Sequence, residues 1–334
     1  MPFSAYFAAQ CKQHKNWGSR DRKIYRQACY SYFRLGYATG DSIINALQLA
    51  HQPVNEILSQ IRPEEIYPYT NLLSKQINHK NWIEQLMIQH PVYIMPVLKH
   101  QDKIQNWLIE KGIPLEMVEG SIKVPADTDC KPVLENGWGW IMDLSSADAA
   151  SNIALQSGSA VWDCCSGAGG KALYVTNRYN NTIALTCSDK RFSVLQNLKE
   201  RFTTCGLPVP AIELSDLTEP FQLKTKFDVI IADVPCSGSG TWGRTPENIT
   251  TTAPGKVEFY AGLQRNIVKN ILKNLKPGGT LYYITCSVFE KENESNTSFF
   301  ETNHQLIIEN QQYIHHAEHV SDWLFLSKFI SKNK

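Results

Sequence analysis

The stretch Val161-Trp162-Asp163-Cys164-Cys165-Ser166-Gly167-Ala168-Gly169-Gly170-Lys171-Ala172 reads as an apolar strand running into a glycine bend and then a helix that starts near Lys171. Glycines in such a bend let backbone amides and a helix N-terminus approach a polar ligand closely. Gly167, Gly169 and Ala172 satisfy the spacing G-x-G-x-x-A, and Asp189 follows about twenty residues later as a candidate ribose acid. A carboxylate there holds the ribose of NAD or of S-adenosylmethionine equally well. The unit therefore specifies a nucleotide-like cofactor without choosing between them. Asp189 has a plain structural alternative, a helix N-cap, where Asp is strongly preferred.

Working outward, apolar runs near Ala160–Cys164, Thr182–Cys187, Ala211–Leu214, Phe227–Asp233 and Thr280–Thr285 alternate with helical patterns near Lys171–Arg178, Arg191–Cys205 and Gly262–Leu275. Such alternation predicts a mostly parallel sheet with helices on both faces. Upstream, Val92–Met95, the helical Asp102–Lys111 and a strand near Glu116–Glu119 read as a small α/β module, and the chain before Pro91 reads as helical with Pro53, Pro63 and Pro68 as dividers. The organisation expected is a helical region over residues 1–88, a small α/β module over 89–140 and an alternating strand-helix domain over 141–334.

Two cysteines carry most of the chemistry. Cys236, in Asp233-Val234-Pro235-Cys236-Ser237-Gly238-Ser239-Gly240, and Cys286, in Thr285-Cys286-Ser287, each follow a buried strand. A strand-end cysteine is usually plain core. Here a carboxylate precedes one thiol, and Ser-Gly-Ser-Gly after it is expected to leave backbone free for a ligand. Lys276-Pro277-Gly278-Gly279 introduces the strand that ends at the other. Two rigidly held thiols beside a cofactor loop point to a nucleophile.

Composition bounds the rest. The chain has 334 residues, of which 43% are hydrophobic and 19% charged, as in globular proteins. No apolar run approaches the roughly twenty residues of a membrane span, and the amino terminus lacks a signal-peptide core, so a cytoplasmic protein without a membrane partner is expected. Nine cysteines without repeated C-x-x-C spacing argue against a disulfide framework or a metal site. The net charge is only +1, yet Lys12, Lys15, Arg20, Arg22, Lys23, Arg26 and Arg34 crowd the first forty residues with Tyr25, Tyr30, Tyr32 and Phe33 between them. These residues suit an RNA backbone and its bases, or equally a solvated helix face over a packed aromatic one.

Taken together, Asp163–Lys171, Asp233–Gly240 and Lys276–Ser287 are similar to the ordered motifs D-x-C-A-A-P-G-G-K, D-A-P-C-S-G-S-G and K-P-G-G followed by T-C-S. On these motifs the chain, over roughly residues 90–330, resembles the Nop/Sun-type RNA cytosine-5 methyltransferases, above all the bacterial ribosomal RNA members. The resemblance implies a Rossmann-like S-adenosylmethionine-dependent methyltransferase sheet, with the cofactor held by Cys165, Ser166, Gly167, Ala168, Gly169, Gly170 and Lys171, Asp189 on its ribose, Asp216 near its adenine and Asp233 beside it. It also implies that the Cys286 thiolate adds to C6 of a cytosine, that Asp233 hydrogen-bonds the base, and that Cys236 assists loss of the C5 proton and release of the RNA. The partner implied is RNA, ribosomal before transfer RNA, acted on by a monomer. The alternative is a non-catalytic RNA-binding or ribosome-assembly factor that retains the fold. The chain departs from the family pattern where an arginine-bearing run, L-R-V-N, is replaced by Ile94-Met95-Pro96-Val97. It departs again where Q-D-x-x-S-Q is replaced by Met142-Asp143-Leu144-Ser145-Ser146-Ala147.

Overall fold

The computed structural model describes residues 3–40, 42–180, 182–219 and 223–332, and among these eleven strands form two sheets. The smaller sheet comprises β1 (Val92–Pro96), β2 (Glu116–Val118), β3 (Ser121–Val124) and β4 (Gly139–Ile141), in the order β2-β3-β1-β4 with the assigned pairings antiparallel. Helix Gln101–Glu110 covers it, burying Ile104 and Leu108 against Ile94, Ile122 and Val124. The larger sheet comprises β5 (Ala160–Asp163), β6 (Ala184–Asp189), β7 (Ala211–Leu214), β8 (Phe227–Asp233), β9 (Leu275–Thr285), β10 (Leu306–Ile314) and β11 (Leu324–Ser331), in the order β10-β11-β9-β8-β5-β6-β7.

Strands β5 to β9 pair in parallel, while β11 is antiparallel to both β9 and β10. Period-two alternation sorts their side chains onto two faces. Val161, Ile231 and Ile284 pack under helices Leu144–Ser151, Gly170–Arg178 and Phe192–Thr204. Trp162, Ile230 and Tyr283 pack under helices Pro254–Ile271 and Glu294–Asn303. This is the expected Rossmann-like sheet, with helices on both faces. Its strand order reverses between β5 and β8, and ligands of open α/β sheets bind beyond the carboxyl ends of the strands at such a point.

Several elements differ from expectation: β6 lies two residues later than Thr182–Cys187, β3 and β4 join the small sheet without having been expected, and three further differences have clear causes. Helix Pro254–Ile271 begins eight residues before Gly262, because proline suits the first helical turn and Gly262 lies on an open face. Strand β9 begins at Leu275 and runs through Lys276–Gly279, with Gly278 at φ 72° where the pairing with β8 shifts register. β10, with its polar run Glu309-Asn310-Gln311-Gln312, lacks a clean apolar alternation and was not anticipated.

Helices Phe3–Gln13, Ser19–Arg34, Ile43–Ala50, Val54–Gln60, Pro63–Ile66 and His79–Met87 precede the small sheet. The aromatics interleaved with the basic residues partly resolve to packing: Phe3 meets Tyr30 and Phe33 edge-on, and Trp17 meets Tyr25. Tyr67 and Trp82 pack against Trp242 and Phe289, which lie just beyond the two cysteine-bearing strand ends. Among the described residues no helix is long and apolar enough to cross a membrane.

Candidate active site

Asp163 ends β5, Asp189 ends β6, Asp233 ends β8, and Cys286 follows β9 directly. Parallel pairing of β8 with β9, carried on by the Val234 N–H donating to the Ile284 carbonyl, brings the two cysteine loops side by side. The Cys236 and Cys286 sulfurs lie 3.1 Å apart, both half-buried. The hydrogen bond to Cys286 and burial push the Cys236 thiol well up.

The loop after Cys236 corrects one expectation. Ser237 and Ser239 are buried and bond to each other and to Ser287, and a side chain at Gly240 would collide with the Trp323 carbonyl oxygen at 1.9 Å. Ser-Gly-Ser-Gly is therefore a packing device that lets two loops and β11 meet, and Gly240 is not where a ligand approaches. Its N–H donates to the Cys286 carbonyl at 2.9 Å and its carbonyl accepts from Trp323 N–H at 3.0 Å.

Behind the thiols lies a buried polar network that sequence reasoning missed. Glu292, wholly buried, accepts hydrogen bonds from Ser237 N–H, the Gln264 side-chain amide and the Ser287 hydroxyl, each at 2.9 Å. Gln264 also donates to the Pro235 carbonyl at 3.0 Å. Asn293 donates to the Ser287 carbonyl at 2.7 Å and accepts from the Thr285 hydroxyl at 2.6 Å. Both cysteines are thus flanked by backbone that is pinned from inside. The sequence signal was an acid and an amide, Glu292 and Asn293, seven and eight residues past the end of β9 and directly before a helix.

On the other side of the switch point, buried Lys171 donates to Asp233 Oδ2 at 2.7 Å and to the Ser146 hydroxyl at 3.0 Å. Although burial opposes its charge, Asp233 holds the Lys171 pKa above its usual value. Asp163 is 1% exposed, its Oδ1 has no hydrogen-bond partner, and burial, with Asp233 adding to it, pushes its carboxyl up to about 7.

The expected cofactor residues divide. Gly167 and Gly169 sit at φ 51° and 79°, but only at Gly167 and Gly170 would a side chain project into open space; at Gly169 it would meet Leu198 at 2.8 Å. Ser166 is spent on the fold, its hydroxyl donating to the Ser188 carbonyl, whereas Cys165 and Ala168 are half-buried on the loop. Asp189 is 8% exposed and paired with Arg191 through Nε at 2.9 Å and Nη2 at 3.0 Å. Burial opposes its charge, but the hydrogen bonds from Arg191 prevail and lower its pKa. Asp216 lies beyond β7, next to the Ser215 N–H that donates to the Asp189 carbonyl, and its own carboxylate accepts from Thr218.

S-adenosylmethionine carries an ammonium and a sulfonium, two adjacent hydroxyls and a carboxylate. The residues present fit it: an orphaned buried carboxylate oxygen at Asp163, an open glycine backbone at a helix N-terminus, and an acid at the tip of β6.

Comparison with known proteins agrees. Residues 150–320, just over half of the chain, match the family model described as 16S rRNA methyltransferase RsmB/F. The ribosomal RNA small subunit methyltransferase B of Vibrio cholerae is 30% identical over 183 residues, which are 54% of this chain and 41% of that protein. That of Citrobacter koseri is 32% identical over 184 residues, covering 54% and 42%. The chain therefore covers less than half the length of these two relatives. Among solved structures, PH0851 superimposes with a TM-score of 0.80 at 17% identity over 97% of this chain and 93% of that one. NSun6 from Pyrococcus horikoshii, solved with SFG, gives 0.69 at 16% identity over 80% and 97%. By the extent of the family match and the ordered site at its strand ends, the chain belongs to the RsmB/F methyltransferase family, whose methyl donor is S-adenosylmethionine.

Proposed function

We propose that this protein transfers a methyl group from S-adenosylmethionine to C5 of a cytosine in RNA, with ribosomal RNA the favoured substrate, through a covalent bond between Cys286 and C6. The observation that carries the reading is the pair of thiols 3.1 Å apart on neighbouring strand ends, with the Lys171–Asp233 pair on the same sheet edge. The family description and the names of the relatives above support RNA, and the small-subunit enzymes among them support ribosomal RNA.

Cytosine C5 is a poor nucleophile until addition at C6 breaks the aromaticity of the ring, so a covalent intermediate divides one hard step into two. Cys286 is taken as the attacking sulfur because Thr285-Cys286-Ser287 matches the T-C-S motif of the family. Lys171 takes Asp233 Oδ2 and leaves Oδ1 to receive a hydrogen bond from the base as charge develops. Bound S-adenosylmethionine supplies the electrophilic methyl group. When the C5 proton leaves, its electrons restore the C5–C6 double bond and expel Cys286, with Cys236 beside it as proton carrier. A target paired in a duplex has to be flipped out, so an unpaired segment is the easier substrate.

The test incubates the protein with labelled S-adenosylmethionine and total RNA from cells lacking it, followed by bisulfite mapping. Cys286→Ala is expected to abolish transfer, and Cys236→Ala to accumulate a protein–RNA adduct that survives a denaturing gel. An exchange of the two phenotypes overturns the assignment of the cysteines. Absence of transfer by the unaltered protein overturns the reaction and favours the non-catalytic factor.

A further inference from the structure

Arg244 has no part in the chemistry above, yet it is the most elaborately held cation near the thiols. Its Nε donates to Asp322 Oδ1 at 3.0 Å and its Nη2 donates to Oδ2, while Asp322 itself is almost completely buried. The Asp322 N–H donates to both oxygens of Asp143 at 3.2 Å, and His90 Nδ1 stands 3.5 Å from Asp322 Oδ1. Burial pushes His90 down to about 4, so it backs the pair as a neutral ring. The preceding residue is equally constrained. Any side chain at Gly243 would strike His90 Nε2 at 2.2 Å, and the Gly243 carbonyl accepts from Arg34 Nη2 at 3.1 Å.

Half of the Arg244 side chain nevertheless remains exposed, at 49%. A guanidinium has five N–H groups, and Asp322 engages two of them. The remaining edge stays available, on the loop whose Gly240 bonds to the Cys286 carbonyl. Burying a carboxylate to hold a surface arginine is a poor route to stability, since apolar packing does as well. It is an effective way to fix a planar cation for an anionic ligand, because a guanidinium fork matches phosphate oxygens. The anion fits the surroundings. Arg34, which binds the neighbouring carbonyl, also lines a cleft of about 570 Å³ together with Arg26, Tyr30 and Lys23, the last paired with Asp127 of the same cleft at 3.0 Å. In the small sheet, where the family pattern carries an arginine, this chain has Met95, which is core and 3% exposed.

We propose that Arg244 is a phosphate-positioning residue, whose free guanidinium edge binds a phosphodiester of the RNA strand next to the target cytidine and so presents the base to Cys286. The inference rests on the RNA reading above and adds to it the contact that seats the strand.

The test measures binding of a twenty-nucleotide single-stranded RNA at several salt concentrations, the affinity for S-adenosylmethionine, and methyl transfer to total RNA. Because Arg244→Ala alone leaves Asp322 buried without its partner, the main variant combines Arg244→Gln with Asp322→Asn, which keeps a neutral hydrogen bond. It is expected to bind RNA about tenfold more weakly at low salt. The slope of log affinity against log salt should fall by about 0.7, the value of one phosphate on a single strand. Cofactor affinity should not change. Arg244→Lys keeps the charge but loses the fork, so it should keep the slope and lose kcat. An unchanged slope in the double variant, weakened S-adenosylmethionine binding with RNA binding intact, or full kcat in Arg244→Lys overturns the proposal. If the unaltered protein transfers no methyl group to RNA, the underlying reading fails and this inference with it.

Discussion

Glu292 offers the sharpest separation of architecture from chemistry, because it touches both cysteine loops and neither thiol. Replacing it by alanine removes three charge-assisted hydrogen bonds, but the losses are unequal. Gln264 keeps its bond to the Pro235 carbonyl, and the Ser287 hydroxyl can turn to Ser237 or Ser239, at 3.2 and 3.3 Å. Ser237 N–H, buried, has no such substitute. An orphaned buried donor is worth about 1–3 kcal/mol, and the small cavity left by the carboxylate adds roughly 1–2 kcal/mol. Relief of the buried charge offsets part of this, since burial already holds the Glu292 pKa above its usual value. The net expectation for Glu292→Ala is a loss of about 3 kcal/mol. Glu292→Gln fills the same space, accepts from Ser237 and Gln264 through its carbonyl and donates to Ser287, so it should stay within about 1 kcal/mol of the native protein. A displacement of about 1 Å at a reacting centre lowers rates about a hundredfold. Single-turnover methyl transfer should therefore fall about a hundredfold in the alanine variant and less than tenfold in the glutamine variant. Urea unfolding supplies the stability half of the comparison. If the two variants unfold alike and turn over alike, the loops are not held by this carboxylate and the reasoning fails.

Two further outcomes follow from the same sheet edge. Asp163 titrates near 7 when folded against a usual value of 3.8, with burial the main cause. Between those values the folded chain keeps a proton that the unfolded chain has lost, so its contribution to stability declines as pH rises, by up to about 1.4 kcal/mol per unit, and levels off above 7. Urea midpoints of the ligand-free protein from pH 5 to 7.5 should therefore fall less steeply for Asp163→Asn than for the native chain; equal slopes would contradict the assignment. At the thiols, hydrogen peroxide should take two electrons and both protons from Cys236 and Cys286, joining the sulfurs and leaving two waters. Activity should disappear with a mass loss of two hydrogens and return with dithiothreitol, whereas a gain of oxygen at either sulfur would show that the 3.1 Å approach does not favour coupling.

How much of this was legible in the sequence depends on the range of the interactions. Ala211–Leu214 and Phe227–Asp233 match their expected limits, because a run that fits a strand is bounded by residues that break one. The carboxyl-edge positions of Asp163, Asp233 and Cys286 follow directly from such limits. β10 escaped because its exposed face is polar over several positions. Gly240 was misread for a different reason: glycine marks a close approach, but the sequence does not say whether a ligand or another strand does the approaching. Glu292 and Gln264 lay further out of reach, since their partners are 55 and 29 residues away along the chain and no local rule links them. The Arg244–Asp322 pair, 78 residues apart, belongs to the same class.

These long-range contacts explain what the amino-terminal helices do for the site. A strand end fixes the start of a loop but not the sulfur one or three residues later, so two thiols stay 3.1 Å apart only if both loops are held beyond the sheet. Glu292 holds them from within. From without, Ser74 N–H donates to the Val288 carbonyl and Glu290 N–H to the Leu72 carbonyl, stitching the segment after Cys286 to the residues between helices Pro63–Ile66 and His79–Met87. Tyr67 and Trp82 close over Trp242 and Phe289, one aromatic from each loop region. Arg34 reaches from its own helix to the Gly243 carbonyl, beside Arg244. Helix Ser19–Arg34, which carries Lys23, Arg26 and Arg34 of the basic cleft, therefore also braces the loop beyond Cys236 through Arg34. Arg34 is thus the point at which the basic cleft meets the loop beyond Cys236, so Arg34→Ala should loosen that loop as well as remove a cation from the cleft.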